Sequence, residues 1–282
     1  MGIPFRLTSR GIPLYSPEEW AANAKANADL PEVEKTMTPH GRKLAIVGGG
    51  PSVAGHVEEL QKWADEGGDV WSVNRTSNWL KPHGIDSTLF AVDAEKDPIY
   101  WPDPLNVNGA MMAVMCAPNI VRRYLDRPRG VRMFDVHLSK DMSYIGGSTA
   151  VTSSICLTVS MGYREIHYFG CEGSFAETDH IDRNDNPSKQ LIVRAGGVDY
   201  RTDPQMYLQC QEMETTFRKF PHVFKNRSGG LLQAMSDHPG WAVVAVNAAF
   251  RAQLEIENDR TDMFDNSYVQ QYGPEIEHAA AG

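Results

Sequence analysis

Apolar and polar positions along the chain switch repeatedly between two rhythms. Residues 43–47 (Lys-Leu-Ala-Ile-Val) form a short run, apolar after the lysine, that stops at Gly48-Gly49-Gly50-Pro51-Ser52. Beyond it Val53, Val57, Leu60 and Trp63/Ala64 recur at three- and four-residue intervals, which predicts a helix to Asp65 closed by Gly67-Gly68. Residues 69–73 read as a second strand ending at Asn74-Arg75-Thr76. A short helix at 77–81, a turn at Pro82-His83-Gly84 and a third strand at 87–92 ending at Asp93 follow. The alternation continues with strands at 110–115, 131–136 and 166–169, and with helices starting at Pro118 and at Gly146-Gly147-Ser148-Thr149. The last of these strands ends at Gly170-Cys171-Glu172.

Strands that alternate with helices in this way predict an α/β, Rossmann-like domain with a doubly wound, mostly parallel sheet. The unbroken apolar run at 44–47 fits a strand covered on both faces. Residues 1–42 are polar and rich in Pro, Ala and Glu, and read as an N-terminal arm with one helix beginning at Ser16-Pro17-Glu18-Glu19. The domain proper spans 43–250. Inside it, 173–201 lacks periodicity and reads as a lid or binding loop. A strong helix then runs from Asp203 or Pro204 to Lys219 with Met206, Cys210, Met213 and Phe217 on one stripe. A strand at 223–226 and a turn at Ser228-Gly229-Gly230 lead to a short helix, and 251–282 is an acidic C-terminal extension, helical at first.

Charge narrows the partners. Against 27 basic residues stand 36 acidic ones, a net charge of −9 in 282 residues, so nucleic acid is disfavoured as a partner. No apolar run approaches the ~18 residues of a membrane span, and residues 1–10 carry no secretory apolar run. The four cysteines (Cys116, Cys156, Cys171, Cys210) form no CxxC pair, and Cys116, Cys156 and Cys171, within apolar stretches, read as buried free thiols of a reducing compartment. A cytoplasmic protein with a small-molecule substrate is the expectation, with its oligomeric state left open.

Ligands of open α/β sheets bind beyond the carboxyl ends of the strands, so chemistry is sought there. The turn Gly48, Gly49, Gly50, Pro51, Ser52 offers backbone N–H groups and a helix N-terminus to an anion; its plainer reading is a tight turn. It departs from the dinucleotide pattern, since Val53 stands at the third glycine position and Asn74-Arg75 replaces a ribose-binding acid. No Gly-Lys-Ser/Thr follows, so it is not a P-loop. Gly146, Gly147, Ser148 and Thr149 form a second candidate anion nest, or merely let a small-residue helix approach the sheet. Asn74 and Arg75 are placed to meet a base, ribose or phosphate. Asp93 and Glu172 end two strands at the same edge; they could share Mg²⁺ with a diphosphate, or each could cap a neighbouring element. His180, in the lid, is a general-base candidate, with Asp182 beside it.

The order Leu-Ala-Ile-Val-Gly-Gly-Gly-Pro-Ser (44–52), Val-Trp-Ser-Val-Asn (70–74), Phe-Ala-Val-Asp (90–93), Gly-Gly-Ser-Thr-Ala (146–150) and Met-Gly-Tyr-Arg-Glu-Ile-His-Tyr-Phe-Gly-Cys-Glu (161–172) resembles the 6-hydroxymethylpterin diphosphokinase MptE-like family. That family is in turn similar to bacterial family 42 sialyltransferases. The resemblance implies a nucleotide-dependent transferase in which the two Gly-rich turns cradle phosphates and Asn74 sits near the nucleotide. It further implies that Asp93 and Glu172 face Mg²⁺ or the acceptor, with glutamate where aspartate is more usual at 172. Diphosphoryl transfer from a nucleoside triphosphate to a small hydroxymethyl compound is the activity it implies first. Glycosyl transfer from a nucleotide-sugar, with His180 as acceptor base, comes second, and a non-catalytic nucleotide-binding module third.

Overall fold

The computed structural model describes residues 16–135, 147, 149–175 and 191–246. Its strands are β1 (Leu44–Val47), β2 (Asp69–Val73), β3 (Thr88–Ala91), β4 (Gly109–Ala113), β5 (Val131–Phe134), β6 (Ile166–Phe169), β7 (Leu191–Ala195), β8 (Val198–Thr202), β9 (Phe224–Asn226) and β10 (Ala242–Val246). Its helices are α1 (Pro17–Ala26), α2 (Val57–Asp65), α3 (Ser77–Leu80), α4 (Pro118–Val121), α5 (Ala150–Ser160), α6 (Pro204–Lys219) and α7 (Gly230–Asp237). Seven strands pair in parallel in the order β5-β4-β3-β2-β1-β6-β9, which is the Rossmann-like α/β sheet expected.

Period-two alternation explains why β1 reads as one apolar run. Leu44 and Ile46 enter the larger core, shared with Ile155 of α5, Met213 and Phe217 of α6 and Leu231 of α7. Ala45 and Val47 enter a second core with Leu60 and Trp63 of α2 and Leu80 of α3. Helices therefore cover both faces, and every position of β1 is apolar and buried. The chain first works outward from β1 to β5 and then returns to the other side of β1 with β6. The order reverses between β1 and β6, so the crevice of a doubly wound sheet falls at their carboxyl ends.

Local chemistry sets the helix starts. Ser16 and Glu19 form a capping box for α1, Thr149 and Thr152 one for α5, and Asp203 accepts the Met206 N–H at the start of α6. The helix after the first Gly-rich turn begins differently from the expectation. Residues 51–56 form a 3₁₀ segment, Pro51–His56, before α2 takes over.

Two segments differ more. Residues 191–202, read from the sequence as loop, form the hairpin of β7 and β8, which joins β10 in a separate three-stranded antiparallel sheet. Gly196 and Gly197 both take positive φ (+59° and +81°), as a two-residue hairpin turn requires. Leu191, Val193 and Ala195 bury one face of β7, while β8 stays largely exposed, which blurred the alternation. The arm is also more closely joined than its polarity implied. Val33 N–H bonds Met133 O and Met133 N–H bonds Pro31 O, each at 2.8 Å, so residues 31–33 cover the β5 edge. The buried Asn27 amide donates to Val114 O (3.0 Å) and Cys116 O (2.9 Å). Among the described residues no helix is long and apolar enough to cross a membrane.

Candidate functional site

The turns after β1 and β6 lie directly on one another. Gly48 N–H donates to Phe169 O and Gly50 N–H to Gly170 O, both at 2.8 Å. A Cβ on Gly48 would collide with Gly170 O and stand 3.0 Å from Cys171 Sγ. One on Gly170, whose φ is +64°, would stand 2.6 Å from Gly48 O. Glycine at these positions answers a backbone-on-backbone approach between segments about 120 residues apart. The third loop of this edge locks the arrangement: Ser228 Oγ accepts the Cys171 N–H at 2.8 Å. Burial pushes the Cys171 and Cys210 thiols up, as is usual for cysteines in apolar surroundings.

Over this joint opens a cavity of about 500 Å³, within the ordinary range for small-molecule sites. Of the residues nominated by the sequence, Gly48, Gly49, Gly50, Asn74, Arg75, Asp93, Thr149 and Glu172 line it. Pro51, Ser52 and Gly147 are not among its lining residues. Gly146, Ser148, His180 and Asp182 fall outside the described residues. Glu95, Tyr100, Trp101, Ser174, Met206 and Gln209 also line it and were not nominated. For Glu95, Tyr100 and Trp101 a signal existed. The connection after β3 leaves from a strand carboxyl end and carries Asp-Pro-Ile-Tyr-Trp-Pro, and Asp97 caps the 3₁₀ turn Pro98–Tyr100. Gln209 is different: it reaches the cavity from mid-helix because α6 packs on α5, where its Oε1 accepts the Thr149 hydroxyl at 2.9 Å.

Asn74 closes β2 in the left-handed region, with φ +51°, and is exposed to the cavity. Asparagine is among the few side chains that tolerate this conformation, and a strained strand end aimed at a crevice is typical of a ligand contact. Asp93 is exposed on the cavity wall. Loss of surrounding water, and then the Glu95 charge, push its carboxyl above the usual range, against the Glu95 N–H that Asp93 Oδ1 accepts at 3.0 Å. A carboxyl so placed can exchange a proton with an acceptor hydroxyl. Among the described lining residues Arg75 is the one lysine or arginine, against Asp93, Glu95 and Glu172.

The donors expected to cradle phosphate are largely engaged within the chain. Besides Gly48 and Gly50, Ser52 N–H bonds Glu172 Oε1 and Val53 N–H turns back to Gly50 O at 3.3 Å. At the second turn Gly147 N–H bonds Ser153 Oγ at 3.2 Å and Thr149 N–H bonds Thr152 Oγ1 at 3.0 Å. Glu172 therefore takes the capping role that the sequence had left as an alternative to metal binding. Its Oε2 is buried without a partner, pressed on Gly50, where a Cβ would fall on it. With one oxygen bonded and the other covered, Glu172 does not fit a Mg²⁺ site shared with Asp93. Among the described residues no three His, Cys, Asp or Glu side chains gather as metal ligands.

No protein-family model matches the chain, and no curated protein matches it. Among solved structures the fold is similar to that of the MAf glycosyltransferase from Magnetospirillum magneticum AMB-1, with a TM-score of 0.56 and 13% identity. The match covers 91% of this chain and 46% of that one, so the chain spans under half of that enzyme's length. At this identity the likeness establishes a shared Rossmann-like α/β fold.

Proposed function

We propose that the chain is a nucleotide-dependent transferase whose ligand occupies the cavity over the ends of β1 and β6. The observation that carries this reading is the cavity itself: about 500 Å³, at the point where the strand order reverses, with the strained Asn74 and the cation Arg75 on its wall. Fold alone does not fix chemistry, whereas the residues of the wall limit it.

Glycosyl transfer from a nucleotide-sugar is favoured over diphosphoryl transfer to a hydroxymethyl compound, the activity implied by resemblance to the MptE-like family. Asp93 and Glu95 on a wall with one cation, and the Glu172 charge behind it, suit hydroxyl-rich sugar rings better than a triphosphate, and the fold is similar to a glycosyltransferase. Asp93 is the acceptor base in this reading, because its raised carboxyl is open to the cavity.

A thermal-shift panel of CMP, UDP, GDP, ATP and nucleotide-sugars, with and without Mg²⁺, tests the binding. A nucleoside mono- or diphosphate should stabilise the protein equally in EDTA and in Mg²⁺. Turnover is then followed as release of nucleotide from the sugar donor, or of AMP from ATP. AMP release with a strict Mg²⁺ requirement would reverse the preference in favour of diphosphoryl transfer. Stabilisation with no turnover would leave a binding module, and no shift with any nucleotide would sink both enzyme readings.

A further inference from the structure

The turn at 48–52 has the residues of a phosphate cradle, and most of its donors are already engaged. Gly48 and Gly50 spend their N–H groups on the β6 turn, Pro51 has none, and Ser52 N–H meets the Glu172 carboxylate. Glu172 is only 6% exposed, and among the described residues no ion pair reaches it. A buried carboxylate in that state is unfavourable unless dipoles replace the lost water. Here the Ser52 N–H, in the 3₁₀ segment Pro51–His56, supplies such a dipole. The fold keeps space for this group on two sides. A Cβ on Gly50 would overlap Glu172 Oε2, and one on Gly230 would stand 2.7 Å from Glu172 Cβ. Leu232 N–H holds the Glu172 carbonyl at 2.9 Å, fixing the backbone from which the side chain reaches back.

We propose that Glu172 is the resident anion of the switch-point turn and a specificity-determining residue of the cavity. Its carboxylate takes the place of a ligand phosphate at 48–52 and repels one that approaches. The phosphate of a bound nucleotide then lies toward Arg75, and the wall at Gly50 faces an uncharged, hydroxyl-bearing part of the ligand. This assignment rests on the reading of the cavity as a nucleotide site.

The test uses Glu172→Gln and Glu172→Ala in the full chain, with inorganic pyrophosphate as the probe, titrated calorimetrically without metal. Glutamine keeps an acceptor for Ser52 N–H and removes the charge, so E172Q should bind pyrophosphate about tenfold tighter than the wild type, or better. In E172A, formate should re-enter the vacated position. It should raise the melting temperature of that variant more than that of the wild type and compete with pyrophosphate. Unchanged or weaker pyrophosphate binding by E172Q overturns the proposal, as does the absence of binding by either variant. A wild type stabilised by nucleotides while E172Q gains nothing refutes this assignment alone. Tight pyrophosphate binding by E172Q, in a protein whose wild type ignores every nucleotide, refutes the nucleotide reading alone.

Discussion

Replacing Gly50 by alanine probes the contact between the two halves of the sheet. Gly50 has φ −72° and ψ 148°, an extended conformation that alanine adopts freely. Any cost therefore comes from space and not from the backbone. The new Cβ would land on Glu172 Oε2 and stand 2.7 Å from Gly170 O. The carboxylate can swing aside, but it then loses the Ser52 N–H. A hydrogen bond to a charged group contributes about 1.5–3 kcal/mol. Overpacking against the Gly170 carbonyl adds about 1–3 kcal/mol. Lower entropy of the unfolded chain returns about 0.4–1 kcal/mol. The net loss is about 3 kcal/mol, or about 10 °C in melting temperature for a domain of this size. Urea melts of the wild type, G50A, E172A and G50A/E172A form a double-mutant cycle. In the E172A background the cost of G50A should fall to about 1 kcal/mol, because only the Gly170 carbonyl still opposes the methyl. An equal cost in both backgrounds would refute the placement of the carboxylate against Gly50.

Asp93→Asn should raise the melting temperature at pH 7. The folded state holds this carboxyl's pKa above its unfolded value, so Asp93 favours folding below the unfolded pKa, and that contribution is lost as pH rises through the folded pKa. The gain from D93N should therefore vanish in melts at about pH 3, below the unfolded aspartate value of ~3.9; an equal gain at both pH values contradicts the argument. Tyr163→Phe removes a hydroxyl that donates to the buried Asp69 at 2.7 Å and should cost about 1–2 kcal/mol in urea melts. Asp69 begins β2, at the end of the strand away from the cavity, so nucleotide shifts should be unaffected by Y163F. Asn74→Gly should melt within about 2 °C of the wild type, whereas Asn74→Ala should fall about 1 kcal/mol below N74G, because only glycine accepts φ +51° without cost. Both should lose the nucleotide-induced shift, and a full shift in N74G would remove the side chain from the site.

Much of the fold could be read from local pattern because local physics decides it. The strands at 44–47, 69–73 and 166–169 are mostly apolar and buried on both faces, and their ends are marked by Gly, Asn-Arg and Gly-Cys-Glu. Ser16, Thr149 and Asp203 announce their helices by capping chemistry that involves only the next few residues. The β7–β8 hairpin was missed because β8 has little apolar surface to bury, and β10, which pairs with β7 on its other side, comes only after α6, β9 and α7.

Residue order alone dictated a doubly wound sheet and put Gly-rich turns, Asn74, Arg75, Asp93 and Glu172 at one edge, since each follows a strand and parallel strands end together. It was silent on what each group does there. Gly48 and Gly170 need to lack a Cβ because two turns touch. Glu172 turns inward to the Ser52 N–H, a partner for its charge from a segment about 120 residues away. Tyr100 and Gln209 reach the wall from a connection and from the middle of a helix. Such roles depend on distances between remote segments, which hydrophobic periodicity does not encode and packing alone determines.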